Sequence, residues 1–380
     1  MKPRLTALAL AAAAALLLTG CAPLLHRSYS SYSPHVESVV ADDSSALRAE
    51  SYRGLVDALL YYVNRHITSG VIRLANYPSD VSADLENARL EVMREDPLGA
   101  FAVEELTYDF SRIVSYYEVS VSIAYSHTAE EIAAIEFASG SAAIRPRLRQ
   151  AMAKFSSTLL LRTSYFTGDE DQVRAMAVQA YYDTPQSAFG LPEIAVTLYP
   201  DSGVQRIIAL TFTWPERRTV SAARSEQLLS LARRLLADTP PEGEQYTPDE
   251  LYRILLSAGA GEDGSAPSSD PYAALTGKSA DQLARTLALE LLFQQSGIDA
   301  TLVSGVAPGG NTCWLIADCG SGYRHLLPGE ETISLYTDLE MSAAGYLWNQ
   351  SMYPDCVDYS APVTTPAPEV SPAAVETGTP

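Results

Sequence analysis

The sequence predicts an α+β protein in which an N-terminal α/β region of strand-then-helix units precedes a second α+β domain. The first observation is that the apolar residues alternate along the chain between the period of strands and the 3.6-residue period of helices. The second is size and composition, since 380 residues with 47% apolar and 19% charged side chains suit two globular domains. The net charge of -20 bears on partners and not on the fold. Such a surface repels phosphate backbones, so we expect no nucleic-acid partner.

The N-terminus has the pattern of a secretory signal. Lys2 and Arg4 precede an apolar run over residues 5–18, which is too short to span a membrane comfortably. The run ends in the letters LTGC at residues 18–21, which resemble the bacterial lipobox. That resemblance implies a lipoprotein signal peptide over residues 1–21 and a lipid anchor on Cys21, which would hold an extracytoplasmic protein at the cell membrane. An ordinary signal peptide cleaved near residue 22, or an uncleaved anchor, are the alternatives.

Both ends of the mature chain are expected to lack a packed core. Residues 22–45 are rich in Ser, Tyr and Asp and have no apolar period, which is typical of a flexible spacer. Residues 359–380 carry repeated prolines among Thr, Ala and Val and predict a disordered tail. We expect an N-terminal α+β domain over 46–218 and a second domain over 219–358.

The elements of this body follow from periodicity and turn signals. Helical spacing predicts helices over 46–67, 82–93, 172–182 and 222–236. Alternation predicts strands over 101–108, 113–125, 157–166, 193–199 and 204–214, of which the last two form a hairpin. Two further helix starts are predicted by Thr128 with Glu131, which have capping-box spacing, and by Thr247 followed by proline at the first helical position.

Short motifs frame the region from residue 273 onward. The chain reads LTGK at 275–278, GIDA at 297–300, GGNTCW at 309–314 and YRHLLP at 323–328. These resemble, in order, the Leu-x-Gly-Lys, Gly-Ile-Pro-Ala, Gly-x-x-His-Ala-Trp and Trp-Tyr-x-x-Asp-Pro motifs of bacterial transglutaminase-like domains, which belong to the papain-like superfamily. Residues 338–356 resemble the end of that domain in related surface proteins. The resemblance therefore implies a papain-like α+β fold for the second domain.

The resemblance also implies where catalysis would take place, and all three positions carry an unsuitable residue. The nucleophilic cysteine that opens the long helix would be Gln282, the basic histidine would be Thr312, and the orienting aspartate would be Leu327. An amide is not a nucleophile, a threonine hydroxyl does not take a proton near neutral pH, and a leucine cannot orient a base. Gln282 also has a structural explanation, because Ser279 and Gln282 have the spacing of a capping box.

A relocated nucleophile is the alternative, with Cys313 as thiol and His325 as base. If Thr312 pairs with Leu327 across a hairpin, His325 lies opposite Trp314 on the Thr312 face. Cys313 then points to the other face, so a dyad between Cys313 and His325 requires a register slip.

Disulfides are permitted outside the cytoplasm. A bridge from Cys313 to Cys319 would have to span roughly 20 Å of regular strand and is excluded on that geometry. A bridge from Cys319 to Cys356 is left open.

The sequence thus predicts an acidic, membrane-anchored lipoprotein with a degenerate, non-catalytic transglutaminase-like domain that acts in binding or in cell-envelope organisation. A peptide or a glycan is the expected kind of ligand, and no cofactor or metal is expected. The alternative is an active cysteine hydrolase or acyltransferase that acts on cell-wall peptides.

Overall fold

The structure, a computed structural model, describes residues 41–42, 46–259 and 266–358. The predicted signal peptide with Cys21, most of the predicted spacer and the proline-rich tail lie outside the described residues. In the part that is described, no helix has both the length and the apolar character needed to cross a membrane. The chain divides into two compact units between Ala134 and Ile135, and the domain boundary expected after residue 218 falls inside the second unit.

Helices and strands are mixed in both units, which confirms the α+β class. The helices are α1 (Tyr52–Asn64), α2 (Val81–Arg94), α3 (Pro97–Ala102), α4 (Ala129–Ala133), α5 (Ser141–Ala153), α6 (Glu170–Tyr182), α7 (Arg218–Asp238), α8 (Pro248–Gly259), α9 (Pro271–Ala274), α10 (Gln282–Gln295) and α11 (Asp338–Ala343). The strands are β1 (Ala41–Asp42), β2 (Ala46–Ala49), β3 (Ser69–Ala75), β4 (Val103–Ile113), β5 (Tyr116–Tyr125), β6 (Glu136–Ala138), β7 (Thr158–Thr163), β8 (Glu193–Tyr199), β9 (Arg206–Thr213), β10 (Ala300–Ala307), β11 (Gly310–Asp318), β12 (Tyr323–Pro328) and β13 (Ile333–Tyr336).

The first unit is built on a five-stranded sheet with the order β1-β2-β3-β5-β4. The single helix predicted over 46–67 is wrong at its start, because residues 46–49 form β2 and pair in parallel with β3. Helix α1 begins only after Ser51, whose side chain accepts a hydrogen bond from the Gly54 amide. β1 lies within the stretch predicted to be a flexible spacer.

The strand predicted from residue 101 begins two residues later, because Phe101 belongs to the short helix α3. Asp96 caps this helix by accepting hydrogen bonds from the amides of Leu98 and Gly99. Gly99 packs so closely against α2 that a Cβ atom would lie 1.9 Å from the carbonyl oxygen of Val92. This position therefore requires glycine for close approach of two helices.

The second unit contains two four-stranded sheets, with the orders β6-β7-β9-β8 and β10-β11-β12-β13. β8 and β9 form the predicted antiparallel hairpin. One apolar core runs from Ala138 in the first of these sheets to Ile333 in the second. Helix α10 lies at the centre of this core and packs against α7, α8, α9, β10 and β11. Its residues are apolar and buried on nearly all sides beyond the first turn, as expected for a central helix.

A buried glutamine ties distant parts of the second unit together. The Nε2 group of Gln179 in α6 donates to the Leu302 carbonyl oxygen in β10 over 2.8 Å and to an Asp183 carboxylate oxygen over 2.8 Å. Its Oε1 atom accepts from the hydroxyl of Tyr353, also over 2.8 Å. Because an unsatisfied buried amide is costly, these bonds fix the C-terminal segment to α6 and β10.

The same region holds a fully buried carboxyl group. Glu290 in α10 has 0% exposure, and its Oε1 atom accepts from Gln294 Nε2 over 3.1 Å. Burial raises the pKa of Glu290 well above its ordinary value, and the nearby Asp183 carboxylate raises it further, while Arg149 opposes the shift. Asp183 itself is paired with Arg149. Glu290 is therefore the group in this cluster that takes the neutral form.

Candidate functional site

The start of α10 is the position at which the transglutaminase-like resemblance implies a nucleophile. Gln282 is the first helical residue, but the predicted capping box with Ser279 is wrong. Asp281 is the N-cap instead, because its Oδ1 atom accepts from the Ala284 amide over 2.8 Å. The Gln282 side chain is thus not used for capping and extends toward the neighbouring strand.

Gln282 and Thr312, two of the three positions that the resemblance implies for catalysis, come together. The Nε2 group of Gln282 donates to Thr312 Oγ1 over 2.8 Å and to the carbonyl oxygen of Cys313 over 2.9 Å. This amide group therefore bridges the first turn of α10 to β11, at the place where the resemblance implies a nucleophile and a base. Neither side chain supplies a group that abstracts a proton at neutral pH.

Leu327 does not join them. The expected pairing of Thr312 with Leu327 is wrong by two residues, since Leu315 lies opposite Leu326 and Ile316 opposite His325. The physical reason is the loop between β11 and β12, which spans residues 319–322 and includes Gly320 and Gly322 at positive φ. Leu327 packs in a separate apolar cluster, away from Gln282.

A two-residue shift leaves the alternation of faces unchanged, and Cys313 and His325 do lie on opposite faces of the sheet. The Cys313 thiol faces α10 and lies 3.6 Å from Thr286 Oγ1, to which it donates. Burial raises the pKa of this thiol, and the Asp281 carboxylate adds to the shift, while the bond to Thr286 opposes it. Cys313 is thus a protonated thiol with a hydroxyl as its partner.

His325 belongs to a relay of hydrogen bonds on the other face. Trp314 Nε1 lies 2.8 Å from His325 Nδ1, and His325 Nε2 lies 2.8 Å from Asp338 Oδ1. Because an indole N–H can only donate, Nδ1 must be the acceptor, and Nε2 carries the proton that is donated to Asp338. The second oxygen of Asp338 accepts from the backbone amide of Cys356 over 2.8 Å. Both ring nitrogens are occupied, so His325 cannot serve as a base for Cys313.

The side chains of His325, Asp338 and Cys356 offer ligand atoms within 4.8 Å of one another, a set that zinc would accept. A metal on Nε2 would require the imidazole proton to move to Nδ1, where it would face the Trp314 N–H. Burial raises the pKa of the Cys356 thiol to about 12, and Asp338 adds to the shift. Burial lowers the pKa of His325, although Asp338 opposes the shift. As arranged, His325 offers no lone pair to a metal, because Nδ1 accepts from the Trp314 N–H and Nε2 donates to Asp338.

All three described cysteines, Cys313, Cys319 and Cys356, are free thiols in this structure. The bridge left open between the last two is therefore not formed here.

A cavity of about 450 Å³ lies beside Gln282. Its apolar wall includes five leucines from four elements, namely Leu255 and Leu256 of α8, Leu289 of α10, Leu315 of β11 and Leu326 of β12. Its polar wall consists of Lys278, Gln282, Arg285, Thr286 and Cys313. The volume falls in the range of small-molecule sites in proteins. The place that the resemblance implies for catalysis is thus a cavity with one apolar and one polar wall. The Gln282 amide at its edge is hydrogen-bonded to Thr312 and Cys313.

Sequence motifs pointed to Gln282, Thr312 and Cys313, but not to Arg285, Thr286 or the leucines of the apolar wall. Helical spacing could have identified Arg285 and Thr286, because residues three and four positions after Gln282 share its face of the helix. The leucines come from α8 and β12 as well, and no local pattern brings those elements together.

No protein-family model matches this chain, and a search of curated proteins returned no match.

Proposed function

We propose that this protein is a membrane-anchored, extracytoplasmic lipoprotein whose second unit is a non-catalytic binding module on a degenerate transglutaminase-like framework. The observation that carries the proposal is the amide bridge from Gln282 to Thr312 and Cys313 at the edge of a preformed cavity. The bridge occupies the meeting point of helix and strand without providing a nucleophile or base, whereas the cavity remains open to a ligand.

The lipid anchor is proposed from the lipobox-like residues 18–21, of which Cys21 is the last. A separate experiment tests the anchor. Cells that express the full chain should retain it in the membrane fraction and incorporate labelled fatty acid into it. Cys21→Ser should abolish the label. Equal labelling of the variant would remove the anchor from the proposal.

Binding is tested with Nile red, a neutral apolar dye, on the purified full chain. We expect dye fluorescence to rise on binding, and Gln282→Trp to reduce it, because an indole at this exposed helix start would cover the cavity mouth. Gln227→Trp is the matched control, since Gln227 is exposed on α7 and does not line the cavity. Equal dye binding by wild type and Gln282→Trp, or none by either, would count against a binding module.

The alternative function, a cysteine hydrolase or acyltransferase, would use Cys313. Its thiol faces the cavity, which is the observation in favour of this alternative. Against it stand the raised pKa of the thiol and the absence of an imidazole partner among its described contacts. Release of an acyl or peptide product by the full chain that disappears in Cys313→Ala would establish the alternative and overturn the binding module.

A further inference from the structure

The hairpin that joins β4 and β5 ends in an apolar tip. Among the described residues of the first unit, the large apolar side chains that are exposed are Phe110, Ile113 and Val114, and all three lie at this end of the hairpin. Val114 is 94% exposed. The half-buried rings of Tyr116 and Tyr117 follow directly on β5. Exposed apolar side chains that cluster in one place mark a contact with another molecule or with a lipid surface.

The conformation of the turn does not explain the apolar side chain at its centre. Val114 and Ser115 connect the two strands, and Val114 has a φ of 40°. A two-residue hairpin turn with positive φ at its first residue favours glycine, and a β-branched side chain is strained there. Valine at this position therefore serves neither the turn nor the core. A contact outside the folded chain accounts for both its exposure and its strain.

The charges of the hairpin leave its tip free for contact with lipid. Arg112 is the one charged residue in the segment 110–117, and its guanidinium lies 5.8 Å from the ring centre of the tyrosine opposite it. The nearest carboxylates of the hairpin stand back from the turn, since Asp109 lies five residues before Val114 and Glu118 four residues after it. Glu118 is also ion-paired over 3.7 Å with the arginine opposite it on β3. Arginine and tyrosine beside an apolar tip suit the boundary of lipid and water, because each keeps its polar end in water.

The N-terminal end of the sheet lies on the side of this tip. Through the pairing of β1 with β2, β2 with β3 and β3 with β5, Ala41 is level with Val119. β1 runs away from the tip, so Ala41 is its nearer residue, about 10 Å along the strands from Tyr116. Nineteen residues separate Cys21 from Ala41 and can span up to about 65 Å. A membrane that holds Cys21 is therefore within reach of the tip.

Resting on the proposed lipid anchor, we infer that the tip of the β4–β5 hairpin, residues 113–116, inserts into the lipid–water interface of the membrane that holds Cys21. Ile113 and Val114 enter the apolar layer, and the tyrosine rings lie among the headgroups. The contact is apolar and needs no anionic lipid, which a net charge of -20 would repel. With two contacts at one end of the sheet, the first unit takes a fixed orientation on the membrane.

The experiment uses the lipidated protein in phosphatidylcholine vesicles with or without brominated acyl chains, which quench tryptophan in contact with lipid. Val114→Trp and Ser115→Trp each place one added tryptophan on the tip. Thr68→Trp is the matched control, because Thr68 is exposed at the opposite end of the same sheet. Wild type supplies the background of the three native tryptophans. We expect brominated lipid to quench the added fluorescence at either tip position by about half and to leave that of the control unchanged.

A further variant separates the apolar contact from the affinity of tryptophan itself for interfaces. Ser115→Trp combined with Ile113→Ser and Val114→Gly should lose at least about half of the quenching, although glycine suits the turn. If the tip and the control are quenched alike, the inference is overturned while the anchor stands. If the tip tryptophans are shielded from aqueous acrylamide but not quenched by lipid, a second protein chain covers the tip, and the inference is likewise overturned. If wild type carries no lipid, the failure belongs to the proposed anchor and this inference falls with it.

Discussion

Replacing the buried carboxyl group of Glu290 by an amide should make the second unit more stable at neutral pH. Burial holds the pKa of Glu290 far above the ordinary value of 4.5, and the Asp183 carboxylate acts in the same direction. Glu290→Gln preserves the side-chain shape and the oxygen that accepts from Gln294. It replaces the other oxygen by an amide nitrogen that stays neutral at every pH.

The sign and size of the effect follow from proton linkage. The unfolded chain releases the Glu290 proton near pH 4.5, whereas the folded chain keeps it to a much higher pH. Above pH 4.5 the folded state binds more protons, so this group lowers stability as pH rises. The slope is about 1.4 kcal/mol per pH unit and ends at the folded-state pKa. Glu290→Gln should therefore match wild type near pH 4.5 and gain stability with that slope above it.

Urea denaturation between pH 4.5 and pH 8.5 provides the assay. Tryptophan fluorescence reports the second unit, because Trp214, Trp314 and Trp348 all lie in it. Glu226→Gln is the matched control, since Glu226 is exposed on α7. The difference between Glu290→Gln and wild type should grow with pH, and the difference for the control should stay flat. A pH-independent difference for Glu290→Gln would refute the assignment of a neutral, buried carboxyl group.

Three further predictions concern other parts of the chain. The folded-state pKa of His325 lies below the ordinary value of 6.5, so the free energy of unfolding should decrease as pH falls from 6.5 to the folded-state pKa. Trp314→Phe removes the donor to Nδ1 and should raise the folded-state pKa of His325, as read from the imidazole NMR signals. Cys313 should react with iodoacetamide at pH 8 at least tenfold more slowly in the folded chain than in urea, and equal rates would contradict a buried, protonated thiol. Gly99→Ala should destabilise the first unit by about 2 kcal/mol or more in circular dichroism melts, whereas Gly309→Ala, where a Cβ meets nothing within 4 Å, should change little.

Local patterns predicted the elements that carry their own signals. The hairpin of β8 and β9 follows from two alternating runs and the turn between them. Residues 46–49 look helical by their spacing and yet form β2, because pairing with β3 is a long-range contact that no local window contains. Tertiary pairing outweighs propensity at such short segments.

The candidate site was predictable only where local patterns determine it. The order of the motifs predicted that Gln282 and Thr312 lie close together, and strand alternation predicted that Cys313 and His325 lie on opposite faces of the sheet. The exact pairing of β11 with β12 depends on the conformation of four loop residues, which a motif match does not specify. The relay through Trp314 and Asp338 joins two strands and a helix, so only the folded structure reveals it.

The attachment of the C-terminal segment has a consequence for the order in which the second unit matures. Tyr353 completes the hydrogen bonds of Gln179, a side chain that the ribosome makes 174 residues earlier, and Cys356 completes those of Asp338. Until these residues are available, the Oε1 atom of Gln179 and the Oδ2 atom of Asp338 lack the hydrogen bonds that they accept in the folded chain. A chain still being synthesised therefore keeps this unit incompletely bonded until residues 353–356 have been made.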